Sequence, residues 1–388
     1  MRDVVVAAAK RTPIGKFMGA FGETPAVELG AHAARAALAE AGVKPERVDE
    51  VIFGHARQAG NGPNTARQVG KHAGCPDAIP AFTVNKACAS SLKAVTLAYQ
   101  AVALGDADIV LAGGIENMTR TPFLLPRMRA GYRLGHAEVE DAMYRDGFLC
   151  PLCGQLMGET AENLAREYKI GRDEQDAYAL ESQKRCARAS FRDEIAPIDL
   201  SAKQGTTRLE TDEHPRADTT RESLAKLKPV FSKDGTVTPG NACGIADAGA
   251  AVVVMSADKA RALKTRPLAR ITAMTSAGVD PRVMGIGPVE AVRRLEKKAG
   301  LSLDVFDLIE LNEAFAVQVL ACARDLKLNL ERTNVNGGAI ALGHPIGATG
   351  ARIVVTLLHE MRRRDAKRGL ATLCVSGGLG MAVAFEKV

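Results

Sequence analysis

Three reactive side chains stand out for their surroundings. Cys88 lies in Val84-Asn85-Lys86-Ala87-Cys88-Ala89-Ser90-Ser91, His344 in Gly343-His344-Pro345-Ile346-Gly347, and Cys374 in Leu373-Cys374-Val375-Ser376-Gly377-Gly378. Each sits at the edge of an expected strand, beside glycine or other small residues that let backbone approach a ligand. Two thiols and one imidazole in such places point to thioester chemistry. One thiolate would attack an acyl carbonyl, and the second thiol would carry a proton.

Cys88 follows an expected strand and opens an expected helix, where the positive end of the helix favours a thiolate. Taken alone, it reads equally well as a buried structural cysteine. His344 falls in a stretch, Asn336 to Gly350, that holds five glycines. Such a loop does not read as core, and its imidazole suits a base for Cys88 and a donor to an oxyanion. His32, His55, His72, His136, His214 and His359 lack such surroundings and read as solvated or structural. Cys374 ends the last core strand, where a plain core cysteine is a serious rival reading. Asn312, in Glu310-Leu311-Asn312-Glu313-Ala314-Phe315, stands at a strand–helix junction. There an amide holds a water for an oxyanion or simply caps the helix.

The elements that position these groups follow from periodicity. Val4–Ala9, Asp49–Gly54, Ala81–Asn85 and Asp108–Ala112 read as strands, the last stopped by Gly113-Gly114. Ala26–Ala41 reads as a helix closed by Gly42. A second helix after Cys88 carries Leu92, Val95, Tyr99 and Val102 on one face and ends before Gly105. The order recurs in Leu268–Ala273, Val289–Ala299, Phe306–Leu311, Val335-Asn336, a helix from about Ala348 to Arg364, and Leu370–Val375 before Gly377-Gly378. We read two α/β halves related by duplication, each with a largely parallel sheet and covering helices. The expected domains are residues 1–120, completed by about 246–267, and residues 268–388. Between them, 121–245 is rich in proline and charge and forms an inserted loop domain over the substrate site. It holds helices at Thr160–Tyr168, ended by Gly171, and from an Asp173 cap to about Phe191.

A chain of 388 residues with 46% hydrophobic and 25% charged content fits a multidomain globular protein. The net charge of +6 is mild and suits either an ordinary surface or an anionic, phosphate-bearing substrate. Aromatics at 4% and no basic–aromatic block argue against nucleic acid. No run reaches membrane-spanning length. Met1-Arg2-Asp3 leads straight into the first strand with no secretory h-region, and Glu386-Lys387-Val388 carries no peroxisomal or retention signal. A cytoplasmic protein with eight free cysteines is expected. Cys150-Pro151-Leu152-Cys153 reads as two loop thiols, since no second ligand pair follows for a metal.

Val84–Ser91, Asn312–Phe315, Asn334–Gly350 and Cys374–Gly380, in this order, resemble the motifs of the thiolases, as does Gly113-Gly114-Ile115-Glu116-Asn117-Met118. The resemblance covers essentially the whole chain. It implies a five-layer α-β-α-β-α fold and an acetyl-CoA C-acyltransferase with no resident cofactor and no metal, using coenzyme A as substrate and product. It further implies that Cys88 carries the acyl group, His344 activates it, Cys374 exchanges the α-proton, and Asn312 positions a water. The backbone N–H groups of Cys88 and Ser376 would hold the second oxyanion. Arg216, Ser223 and Leu227 would lie near the nucleotide or pantetheine, and Met157, Met284, Ala314 and Phe315 near the acyl and pantetheine end.

The sequence departs from the family pattern at several points. Ser376 stands where the family usually has glycine, which predicts strain if that turn needs a positive φ. Cys243 replaces a serine that contacts CoA. Leu156 replaces the histidine of short-chain biosynthetic members, leaving room for longer 3-oxoacyl chains. Thiolases resembling this chain are dimers or tetramers, and Pro122–His136 is a candidate tetramer loop. Two rivals are weighed: a decarboxylating condensing enzyme of the ketoacyl synthase type, which lacks a second thiol like Cys374, and a non-catalytic acyl-CoA or lipid binding protein.

Overall fold

The structure is a computed structural model that describes residues 1–202 and 205–388. Residues 203 and 204 of the inserted segment lie outside the described residues.

The N-terminal half contributes strands β1 (Val4–Arg11), β2 (Glu50–His55), β3 (Ala81–Val84), β4 (Ile109–Asn117) and β5 (Ala246–Ser256) in the order β3-β2-β4-β5-β1. Its helices are α1 (Ala26–Ala41), α2 (Thr65–His72) and α3 (Ser90–Leu104). Gly42 and Gly105 close α1 and α3 in the left-handed region, at φ 66° and 92°, where glycine carries no steric penalty. The inserted segment follows β4 and holds α4 (Met157–Tyr168) and α5 (Arg172–Arg188). The C-terminal half contributes β6 (Ala269–Gly278), β7 (Leu308–Leu311), β8 (Arg368–Val375) and β9 (Leu379–Glu386), with α6 (Gly287–Ala299), α7 (Ala316–Leu326) and α8 (Ile346–Arg364).

The C-terminal strands run β7-β8-β9-β6, and Thr333 bridges the outer edge of β7 at Ile309. Each half thus places its first strand beside its last, and, with the Thr333 bridge taking the place of a third strand in the second half, its second beside its fourth. The two sheets meet where β1 pairs with β6 through Val5 and Val6. α3 and α8 pack between the sheets in one shared core that includes Leu92, Val95, Val354 and Leu358. α1 and α2 cover the outer face of the first sheet, and α6 covers that of the second. This is the α-β-α-β-α layering.

Five expectations need correction. The sheet is mixed rather than largely parallel. β2 pairs parallel with β3 and β4, and β7 with β8, but the remaining pairs among these nine strands are antiparallel. The tight Gly377-Gly378 turn between β8 and β9 permits only an antiparallel pair. Gly113 and Gly114 do not stop β4, which runs on to Asn117. A Cβ on Gly114 would press on the Gly347 carbonyl and Ser91 Cβ, so Gly114 admits the central helices, whereas one on Gly113 would press on the Ala250 carbonyl and the Phe53 ring. Helix α4 ends on Lys169, left-handed at φ 52°, not on Gly171, and Asp173 lies inside the first turn of α5, not at its cap. Finally, Ala87–Leu104 is long and apolar enough to cross a membrane, but it forms the Cys88 turn and α3 within the central layer.

The inserted segment is fastened to β1 through a buried fork. Arg11 Nε donates to Glu194 at 2.6 Å, and its two terminal nitrogens donate to Asp212 at 2.6 and 2.9 Å. That fixes the chain two residues before His214 and four before Arg216.

Candidate active site

Between the sheet ends and the inserted segment lies a cavity of about 710 Å³. Cys88, His344, Cys374 and Ser376 all line it, although they come from opposite halves of the chain. The wall on the Cys374 side is apolar and includes Met157, Phe231, Met284, Ala314 and Phe315.

Cys88 lies in a single tight turn, Ala87–Ala89, that leads into α3. Ala87 is held left-handed at φ 43°, and its N–H donates to Asn85 Oδ1 at 3.0 Å. Ser90 Oγ accepts the Lys86 N–H at 2.8 Å and donates to the Ala87 carbonyl at 2.7 Å. This strained elbow turns the sulfur toward the cavity at the positive end of α3. Burial pushes the Cys88 thiol above its ordinary value, against the opposing pull of the Ser376 N–H, Arg57 and its own N–H. The thiol is therefore protonated at neutral pH and needs a base.

His344 is buried, and its Nδ1 lies 2.6 Å from Thr349 Oγ1. Thr349 gives its one hydroxyl proton to the Pro345 carbonyl at 3.0 Å, so it must accept from Nδ1–H. The neutral ring then keeps a lone pair on Nε2, and Nε2 is buried without a partner among the described residues. Burial, followed by the charge of Arg352, holds the imidazole down at about 3. It is thus a neutral ring with a free acceptor. The loop is fixed from below by Glu116, whose Oε2 accepts the Gly347 N–H at 2.8 Å and whose Oε1 accepts the Arg57 N–H at 3.1 Å. Burial works to raise Glu116, but the neighbouring His55 and Arg57 hold it below its ordinary value.

Cys374 ends β8 and is buried. Burial raises its thiol well above the ordinary value, and the nearby thiols of Cys88, Cys322 and Cys243 add to that. A thiol that holds its proton so firmly becomes, once deprotonated, a strong base for a carbon acid. Ser376 is not left-handed; the positive φ values of that turn, 85° and 81°, fall on Gly377 and Gly378. The expected strain is absent for that reason.

Asn312 is buried at the end of β7, and neither atom of its amide has a partner among the described residues. The capping reading fails, since the residue before α7 is Phe315. Asn312 does not itself line the cavity. Its neighbour Glu313 has a positioning task instead. It accepts from Tyr178 at 2.8 Å, Ser182 at 2.7 Å and the Ile340 N–H at 3.1 Å, tying α5 to the glycine-rich loop that carries His344.

The other expected residues, Arg216, Ser223, Leu227 and Cys243, also line the cavity, as does Leu156. Arg216 and Ser223 are exposed, and burial pushes the Cys243 thiol up to about 12. Sequence reasoning missed His214 and Arg57, which line the cavity too. His214 packs on Gly343 and Gly244, and its Nε2 lies 3.0 Å from the Ile245 carbonyl. Nothing in its local sequence marks it. Cys150 and Cys153 fall in a short hairpin that pairs Leu149-Cys150 with Gln155-Leu156. All eight cysteines are free, and no metal-like cluster of His, Cys, Asp or Glu occurs among the described residues.

Comparison with known proteins agrees along the whole chain. The thiolase N-terminal domain matches residues 4–258 and the thiolase C-terminal domain matches 265–387. An acetyl-CoA acetyltransferase of Pseudomonas aeruginosa is 53% identical over 392 residues, covering 100% of both chains. One from Escherichia coli K12 is 49% identical, again with 100% coverage of both. Among solved structures, the Bacillus anthracis acetyl-CoA acetyltransferase superposes with a TM-score of 0.98 at 45% identity, covering 100% of this chain and 99% of that one. Human mitochondrial 3-ketoacyl-CoA thiolase gives 0.97 at 44% identity with the same coverage.

Proposed function

The chain belongs to the thiolase family, and on that premise we propose how its residues divide the reversible Claisen condensation of acetyl-CoA with acyl-CoA and the thiolysis of 3-oxoacyl-CoA. Cys88 Sγ gives its proton to His344 Nε2 and attacks the acyl-CoA carbonyl. The tetrahedral oxygen is held by the N–H groups of Cys88 and Ser376. The thioester bond to CoA then breaks, and CoA leaves as the free thiol with the proton from His344. Acetyl-CoA enters, Cys374 passes its own proton to His344 Nε2, and the resulting thiolate takes the α-proton. The enolate oxygen is held by the His344 Nε2–H and a water on Asn312. The carbanion attacks the acyl-Cys88 carbonyl, the C–C bond forms, and the departing Cys88 thiolate recovers its proton from His344. Thiolysis is the reverse path.

One observation carries this reading. The unpartnered His344 Nε2 and the sulfurs of Cys88 and Cys374 share one cavity with apolar walls. Once it carries a proton, His344 Nε2 becomes an oxyanion donor, and losing such a donor costs about 10²–10³ in rate. The CoA phosphates would meet the exposed Arg216, with Ser223 and Leu227 beside the pantetheine and Cys243 a weaker partner than serine. Met157, Met284, Ala314 and Phe315 would flank the pantetheine and acyl ends.

The domain division at 121–245 and 268–388 follows the chain's duplicated strand order. A cytoplasmic homodimer or homotetramer acting in fatty acid metabolism is the setting we propose. The exposed Phe123, Met128 and Leu134 of the 122–136 loop support a tetramer contact. The deciding experiment is kcat/KM for 3-oxoacyl-CoA thiolysis from acetoacetyl-CoA upward in chain length. With Leu156 in the cavity wall we expect activity to persist beyond the shortest substrate. Failure to cleave any member sinks the reading.

A further inference from the structure

Arg57 is the one buried arginine in the cavity wall, and no hydrogen bond or ion pair engages its guanidinium among the described residues. It is 6% exposed, yet its Nε has no partner among the described residues, and none of its side-chain nitrogens forms a hydrogen bond or ion pair there. The other deeply buried arginines are paired: Arg11 with Glu194 and Asp212, and Arg352 with Glu310. Glu116 does not serve Arg57 in the same way, because its two oxygens accept the backbone N–H groups of Arg57 and Gly347. A buried charge without a hydrogen-bonded counter-ion is costly, and Glu116 offsets Arg57 only through its field. A ligand that brings an anion removes that cost.

The surroundings say which part of a ligand this is. Arg57 follows Ala56, which packs with Met118, Met143 and Ile346 in the cluster that also touches Cys88. The guanidinium lies against Gly147, where an added Cβ would force it to move. The exposed cation of the cavity is Arg216, in the inserted segment, and it suits the phosphates of CoA. What remains near Arg57 is the acyl group bonded to Cys88.

We propose that Arg57 anchors a carboxylate on the acyl chain, so that the cavity takes CoA esters of dicarboxylic acids in preference to their alkyl counterparts. The proposal rests on the acyltransferase reading and adds the substrate class. A bidentate guanidinium–carboxylate pair away from water supplies both affinity and orientation.

The test is binding, read apart from catalysis. Calorimetry would compare succinyl-, glutaryl- and adipyl-CoA with butyryl-, pentanoyl- and hexanoyl-CoA on the whole protein. We expect at least one dicarboxylic ester to bind about 10-fold or more tighter than its partner of equal length, a step of about 1.4 kcal/mol. Arg57→Gln should remove that ratio, and Arg57→Lys should keep part of it. Equal affinities across every pair in the wild type overturn the proposal, and that comparison needs no variant to fold. So does an Arg57→Gln protein that weakens both members alike. Cleavage of acetoacetyl-CoA is scored separately, so failure of the acyltransferase reading is distinguishable from failure of the anchor.

Discussion

Thr349 Oγ1 accepts the Nδ1 proton of His344 at 2.6 Å while donating its own to the Pro345 carbonyl at 3.0 Å. One turn of helix therefore sets the tautomer of the His344 ring, five residues away, and leaves Nε2 without a partner among the described residues.

Replacing Thr349 with valine keeps the volume but removes that acceptor. The ring then loses its preferred tautomer and orientation. We expect kcat to fall by up to about 10²-fold, the scale of a misplaced catalytic group, with little change in KM. Steady-state kinetics on acetoacetyl-CoA would check this; a rise in KM with kcat intact would show that Thr349 serves binding instead.

The charge states fix the pH profile. The Cys88 thiol is raised above its ordinary value and His344 is held at about 3, so both groups are neutral at pH 7. Since the imidazole pKa is lowered, the base remains available as pH falls from neutral to about pH 5. We expect the rate of Cys88 acylation by acetyl-CoA to stay nearly flat over that range. Alkylation of Cys88 by iodoacetamide should instead rise steadily with pH to beyond the ordinary thiol value. An acylation rate that halves near the usual histidine pKa would contradict this assignment.

The two thiols should fail differently. Cys88→Ser should lose acyl-enzyme formation from labelled acetyl-CoA by on the order of 10³-fold or more. Cys374→Ser should still trap label on Cys88 yet lose condensation and α-proton exchange with solvent. Loss of labelling in both variants would merge their roles and refute the division.

Gly114 tests the packing that holds the site together. A methyl there would press on the Gly347 carbonyl at 2.3 Å and on Ser91 Cβ at 2.4 Å. The two central helices, which follow Cys88 and His344, would be pushed apart. We expect Gly114→Ala to cost about 1–3 kcal/mol of stability, as overpacking usually does, and to lower kcat as well. Denaturant titration beside kinetics would check both; an unaltered midpoint would mean the helices yield freely.

Much of the architecture is written locally. Gly42 and Gly105 mark the ends of α1 and α3 because only a residue without Cβ takes their φ cheaply. Apolar spacing located the central helix α8 and the strands β1 and β8, but not β9, which follows the segment read as the last core strand. Gly113 and Gly114 misled for a physical reason: glycine also serves where two elements come close, and a linear sequence does not distinguish that need from a turn. Lys169 misled likewise, because packing held a non-glycine residue left-handed.

The chain by itself determined the reactive groups and their immediate settings: a thiol before a helix, an imidazole among glycines, a thiol at a strand end. These are short-range properties of neighbouring residues. Only the tertiary structure decided that Ser376 escapes strain, that Asn312 keeps both amide atoms free, and that His214 and Arg57 join the cavity. Each of those outcomes depends on which distant side chains fill the space around a group. That is fixed by the packing of two halves on one core, where no local pattern records it.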